Sequence, residues 1–197
     1  MGDTGSSRVQ GTRQVFRIPE AWKRVKGVSI MDYLNWFERR YGFHIPTLAA
    51  EEWTQTDMAL RRLQQQRGYG PGENYILHAY KTEDKPNGIP FIDVHSTLPT
   101  DARAAGDPKR FTGLDFEVMA AMATQPTVVV AVRLAAYELS NMDRSNMDRE
   151  LNFVCERGTH RSVATMVLTA LLFAPDAQLT LHTRRTIQAA TQVLVQV

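Results

Sequence analysis

The chain has a single cysteine, Cys155, in 197 residues. No intramolecular disulfide can form, and a lone thiol within a structured motif suits a reducing compartment, so a cytoplasmic location is expected. Long apolar runs are also missing. The best candidate, Val163 to Ala174, is short and broken by threonines, well below the ~18 consecutive apolar residues of a membrane-spanning helix. Met1 to Gly11 is polar and rich in small residues, without the apolar centre of a secretory signal. Residues 1–14 therefore read as a disordered tail. No Gly-x-x-x-x-Gly-Lys-Ser/Thr occurs anywhere, so nucleotide binding on a P-loop is not expected. The five histidines and the cysteine show no ligand spacing, and neither a metal nor a cofactor is implied.

What is present fits a globular chain: 43% hydrophobic and 22% charged residues, with a formal charge of +2. The charge is uneven. Residues 1–70 carry 11 Lys/Arg against 7 Asp/Glu, and residues 71–197 carry 12 against 14. A basic first third could touch nucleic acid or an acidic partner, although basic residues spread over amphipathic helices more often form a solvated face.

Glu20 to Lys26 predicts a short helix with Pro19 at its start. In Ile30 to Tyr41 the residues Ile30, Tyr33, Leu34, Phe37 and Tyr41 recur at helical spacing, and Gly42 follows as a stop. Pro46 to Gln66 predicts a further helix, with Trp22, Trp36 and Trp53 expected as core anchors. Gly68, Gly70, Pro71 and Gly72 mark a boundary near residue 70. Residues 15–70 are thus expected to form a helical N-terminal region, and 71–197 an α/β domain.

In that domain Tyr75 to Ala79 and Phe91 to Val94 read as strands joined by a polar link. Thr100 to Thr112, which contains Arg103, Lys109 and Arg110, reads as an exposed loop, and Asp115 to Ala123 as a helix. Val128 to Leu139 is ambiguous. Its three leading valines favour a strand, and Val132 to Leu139 fits a helix, so most of the segment is expected to be helical. The repeat Ser140-Asn-Met-Asp-Arg, Ser145-Asn-Met-Asp-Arg is expected on a surface loop. The remainder alternates: strand Leu151 to Val154, loop, helix Arg161 to Phe173, strand Leu179 to His182, helix Arg184 to Leu194. Such alternation predicts a mostly parallel sheet flanked by helices, with ligands at the carboxyl ends of the strands.

The loop Cys155-Glu-Arg-Gly-Thr-His-Arg-Ser162 fits C-x-x-G-x-x-R-S between a strand and a helix. Such a loop turns backbone N–H groups inward, and the helix start adds free amides and a positive dipole end, which together favour an anion. Gly158 permits positive φ or close approach, and the Arg161 guanidinium can hold two phosphate oxygens. Ser162 could cap the helix or donate to an oxygen. A thiolate at Cys155 could attack phosphorus as in protein tyrosine phosphatases, with an acid from Asp101, Asp107 or Asp115. The usual histidine before such a cysteine is Val154 here. The bland reading of Cys155 is a buried thiol at a strand end.

Further motifs occur in one order: Asn87-Gly-Ile-Pro90, Phe91-Ile-Asp-Val-His-Ser-Thr-Leu-Pro99, Thr112-Gly-Leu-Asp115, Cys155 to Val163, and His182-Thr-Arg-Arg185. In these the stretch from about Tyr75 to Arg185 resembles the C-terminal domain of the RapZ RNase-adapter family. The resemblance implies a phosphosugar pocket of the glucosamine-6-phosphate type, homo-oligomerisation, and RNA or ribonuclease binding. It also implies that Cys155, Gly158, Thr159, His160, Arg161 and Ser162 wrap the phosphate, with Thr112, Gly113, Asp115, His182 and Arg184 close by. His160 and His182 could equally be ordinary satisfied histidines. The family's P-loop kinase-like half is absent, Glu156 and Arg157 replace small loop residues, and the basic C-terminus is replaced by the near-neutral 187–197. Three functions follow from these residues: a sensor of a phosphorylated small molecule without catalysis, a phosphatase using Cys155 and Arg161, or an RNA-binding protein whose loop takes a backbone phosphate.

Overall fold

The structure, a computed structural model, describes residues 13–24, 28–41, 75–94, 112–123, 125–141, 149–183 and 186–188, together with 51, 54, 55, 58, 61, 62 and 65. Its framework is a five-stranded sheet in the order β1-β5-β2-β4-β3. The strands are β1 (Gln14–Arg17), β2 (Tyr75–Lys81), β3 (Ile92–Asp93), β4 (Arg149–Cys155) and β5 (Gln178–Leu181). Four of them run parallel, and β1 joins the β5 edge antiparallel. The fold is of the α/β class.

Strand alternation divides this sheet into two unlike faces. Leu77 and Ala79 of β2, Leu151 and Phe153 of β4, and Leu179 and Leu181 of β5 belong to one buried cluster. Against it pack α1 (Ile30–Tyr41), α2 (Phe116–Ala123), α3 (Pro126–Asn141) and α4 (Arg161–Phe173). Twelve of the thirteen residues of α4 are buried, because it crosses the sheet centre while α2 and α3 cover its outer side. A helix so enclosed is apolar nearly all round, as this sequence is. The other face carries His78, Tyr80, Asn152, Val154 and Thr180, all buried.

Connection handedness explains the division. The steps β3 to β4 and β4 to β5 move in one direction across the sheet, so right-handed crossovers place α2, α3 and α4 on one face. The step β2 to β3 moves the opposite way over β4 and belongs on the other face. There the Asn152 side-chain amide donates to the Pro90 carbonyl at 3.1 Å.

Several expectations are corrected. Residues 14–17 form a sheet strand where a tail and a helical region were expected. The Arg17 guanidinium donates to the Asp176 carbonyl at 2.8 Å and Lys23 to the Asp176 carboxylate at 2.8 Å, which ties this segment to the β5 side. The helix expected at Glu20 to Lys26 is one 3-10 turn, Glu20–Trp22, with Lys23 already extended. Trp22, Tyr33 and Phe37 lie in the same core cluster as the sheet, and Phe116 packs against it, with the Trp22 and Phe37 rings 4.9 and 5.6 Å from that of Phe116. Ile18, Trp22, Tyr33 and Phe37 of the N-terminal region therefore share the core of 71–197. Trp36 is 40% exposed and anchors no core, whereas Trp53 lies outside the described residues. Val128 to Val130 are helical, since α3 starts at Pro126 and tertiary packing overrides their strand preference. Arg149, expected on a surface loop, is buried in β4 with its guanidinium 5.7 Å from the Tyr75 ring.

The expected helix over 46–66 is described only at Glu51, Thr54, Gln55, Met58, Arg61, Arg62 and Gln65, all helical, and that over 184–194 only at Thr186 to Gln188. The expected loop 100–112 lies outside the described residues save Thr112. Among the described residues no single helix is long and apolar enough to cross a membrane.

Candidate functional site

Cys155 ends β4, Glu156 to His160 bend, and α4 begins at Arg161. The strand, loop and helix thus follow in the expected order. The connections leaving the neighbouring strands β2 and β4 depart to opposite faces, so their carboxyl ends flank a topological switch point, where α/β sheets open a crevice. The loop sits there.

Gly158 makes the tight passage possible. Its φ is +60°, and its N–H donates to the Cys155 carbonyl at 3.2 Å. A Cβ on it would lie 2.5 Å from the Lys81 nitrogen, 2.6 Å from Thr183 Oγ1 and 2.9 Å from Lys81 Cα. The loop is thereby pressed against the ends of β2 and β5, and the Thr183 hydroxyl donates to the Gly158 carbonyl at 3.1 Å. Thr159 is buried, with its hydroxyl on the Arg157 carbonyl at 2.9 Å.

The first intrahelical bond of α4 runs from the Ala164 N–H to the His160 carbonyl at 2.8 Å. The amides of Arg161, Ser162 and Val163 precede it, so they are the orphan donors of a helix start. No acidic residue stands in that first turn. The Arg161 Nη1 atom is buried without a hydrogen-bond partner. A buried guanidinium donor left unpaired costs free energy that an anion would restore. Glu156 and Arg157 are exposed.

Cys155 is 2% exposed, and its sulfur lies 3.2 Å from the Ser162 hydroxyl, itself fully buried. Ser162 is the second residue of α4, and His160 occupies the cap position without a side-chain capping bond. The alternative of a Ser162 helix cap is thereby removed. The turn Thr112 to Asp115 docks on the loop, with the Gly113 N–H donating to the Thr159 carbonyl at 2.9 Å. A Cβ at Gly113 would meet the His160 carbonyl at 2.3 Å and the Ala164 nitrogen at 2.5 Å. The Asp115 carboxylate accepts the Thr112 N–H at 2.6 Å and the Thr112 hydroxyl at 3.3 Å. Asp115 therefore holds the turn that meets the loop.

His182 follows β5 and belongs to an aromatic cluster on the sheet face away from the helices. Its ring stacks on Tyr80 at 3.9 Å, and its Nε2 lies 3.0 Å from His78 Nδ1. Burial first, then the charges of His78 and Arg13, push His182 down to about 4. Burial also lowers His78, against the pull of Glu150, whose carboxylate lies 3.8 Å away. Both rings are neutral near pH 7. Cross-strand from each other, His78 Nε2 and Asn152 Oδ1 are buried without hydrogen-bond partners.

Of the residues expected at the site, the structure brings together Cys155, Gly158, Thr159, His160, Arg161 and Ser162 in one loop, with Thr112, Gly113 and Asp115 docked on it. His182 reaches it only through its neighbour Thr183, and Arg184 lies outside the described residues. Lys81 and Thr183, which close around Gly158, carried no local signal because their role arises where three strand ends meet. His78 had one signal, a polar residue within the apolar run Tyr75 to Ala79.

Comparison of the chain with protein-family models, curated proteins and solved structures returns no match.

Proposed function

We propose that this protein binds a phosphorylated small molecule, with the phosphate held in the Cys155 to Ser162 loop. The observation that carries the reading is the buried, unpaired Nη1 of Arg161 in a loop at the switch point of a parallel sheet. First-turn amides of α4 and an acid-free helix start supply further anion-binding character. Resemblance to the RapZ C-terminal domain adds an amino-sugar phosphate as the ligand class and RNA or a ribonuclease as partner.

Calorimetric titration with glucosamine-6-phosphate and with inorganic phosphate, on the wild type and Arg161→Ala, tests the reading. Saturable binding lost in the variant is expected, with a loss of about tenfold or more for a charge-assisted pair. A wild type that binds neither ligand would refute it. RNA titrated at two salt concentrations tests the partner, since phosphate contacts weaken steeply with salt.

A cysteine-dependent phosphatase is the second reading, favoured by the five-residue spacing from Cys155 to Arg161 and by the Ser162 hydroxyl beside the sulfur. Phosphate released in the same titration cells, and abolished by Cys155→Ser, would establish it over pure binding.

A further inference from the structure

Among the described residues, the sheet face away from the helices holds two buried polar atoms without hydrogen-bond partners, His78 Nε2 and Asn152 Oδ1. His78 is 7% exposed and Asn152 3%, and they stand opposite each other in the parallel register of β2 and β4. Each side chain is already fixed at its other end. The Asn152 amide nitrogen donates to the Pro90 carbonyl at 3.1 Å, which leaves the oxygen over. His78 Nδ1 is tied to His182 Nε2 at 3.0 Å. Neither can turn to satisfy itself without breaking that bond, and a buried polar atom left unpaired costs free energy that a ligand restores.

A third group reaches the same place. Glu150 precedes Asn152 by two residues, so both side chains leave β4 on one face. Its carboxylate lies 3.8 Å from His78 Nε2, too far for a hydrogen bond. That separation is within the roughly 4.2 Å that two metal–ligand bonds of about 2.1 Å can span. Imidazole nitrogen with carboxylate and amide oxygens is a mixed donor set suited to first-row divalent ions. With its Nδ1 proton donated to His182, His78 keeps a lone pair on Nε2, and a ligating histidine is ordinarily held in this way by a partner on its other nitrogen. Of the two charges acting on His78, that of Glu150 outweighs that of Arg13, so the local field favours a cation. No three His, Cys, Asp or Glu side chains gather among the described residues. The amide is therefore the third ligand, and water completes the shell on the side of Glu150, which is 41% exposed.

We propose that His78 Nε2, the Glu150 carboxylate and Asn152 Oδ1 form a binding site for a first-row divalent transition-metal ion, which ties β2 to β4 on this face. The site does not rest on the phosphate loop, since Asn152 lies three residues before Cys155, roughly 10 Å along the strand.

Calorimetric titration of the untagged, EDTA-treated full chain with ZnCl2 and with MnCl2, up to about 1 mM free ion, tests the site. Binding of one ion per chain is expected, lost in His78→Gln and weakened about tenfold or more in Glu150→Gln. Glu150→Gln alters a surface group and keeps the test decisive should circular dichroism show that His78→Gln does not fold. Glu83→Gln, which removes an exposed carboxylate elsewhere, should leave binding as it is. A wild type that binds neither ion would mean that water satisfies the orphaned atoms, and would overturn the proposal. So would binding that Glu150→Gln or a folded His78→Gln leaves unchanged.

Discussion

Gly158→Ala confronts the loop with two separate penalties, and Gly88→Ala isolates one of them. Gly158 has φ +60° and Gly88 has φ +78°. Any L-residue held in this left-handed region costs roughly 1–2 kcal/mol. At Gly88 nothing lies within 4 Å of an added Cβ, so that cost stands alone. At Gly158 the added methyl would lie 2.5 Å from the Lys81 nitrogen and 2.9 Å from its Cα. Those atoms belong to the backbone of a central strand and cannot swing aside. Forcing an extra carbon into such a site costs a further ~1–3 kcal/mol. Gly158→Ala should therefore destabilise the protein by about 2–5 kcal/mol, and Gly88→Ala by about 1–2 kcal/mol. Urea unfolding followed by tryptophan fluorescence, with both variants analysed at a common slope, measures the difference. Equal midpoints for the two would refute the claim that the loop is clamped against the ends of β2 and β5.

Two further outcomes follow from the polar contacts. The neutral His78 and His182 pair predicts acid sensitivity. His182 takes up its proton near pH 4 in the folded chain and near 6.5 when unfolded. Between those values the unfolded state binds more protons, so stability is intact above pH 6.5 and declines as pH falls toward 4. Solvent screening of the partly exposed His182 ring keeps its share on the order of 1 kcal/mol. His182→Gln should flatten that part of the curve of unfolding free energy against pH, and an unchanged slope would count against the coupling. Asp115→Ala removes the acceptor of two Thr112 bonds at the start of α2 and should cost about 1 kcal/mol, as losses of helix caps do. Its effect on phosphate affinity should exceed that of a distant surface substitution, because the same turn carries Gly113 onto the loop.

Much of the fold was legible as local pattern. The apolar runs around Leu77, Phe153 and Leu179, separated by a helical pattern from Arg161 to Phe173, dictate parallel strands with a crossover. The glycine in Cys155 to Ser162 marks a tight turn because only glycine enters the left-handed region without strain. Helix periodicity placed α1 to the residue and put Tyr33 and Phe37 on its apolar stripe, which is the buried side. Trp36, expected in the core as a tryptophan, lies off that stripe and stays exposed.

Tertiary structure alone decided the rest. β1 is four residues, Gln14-Val-Phe-Arg17, with Gln14 and Phe16 half-buried and Val15 and Arg17 exposed, a pattern without polar-apolar alternation in sequence and too short to register as a strand until the free edge of β5 supplies partners. The valines of α3 prefer strands, and they become helical because their inner side completes the core beside α4. Arg149 repeats a surface pentapeptide in sequence, yet β4 begins there and draws it inside. The sequence by itself determined that a strand, a glycine turn and a helix would meet at Cys155 to Ser162, since those preferences act within a few residues. Only the assembled sheet decided that Lys81 and Thr183 close on Gly158 and that Thr112 to Asp115 dock on Thr159. Contacts between residues tens of positions apart depend on strand order and crossover direction, which are properties of the whole chain.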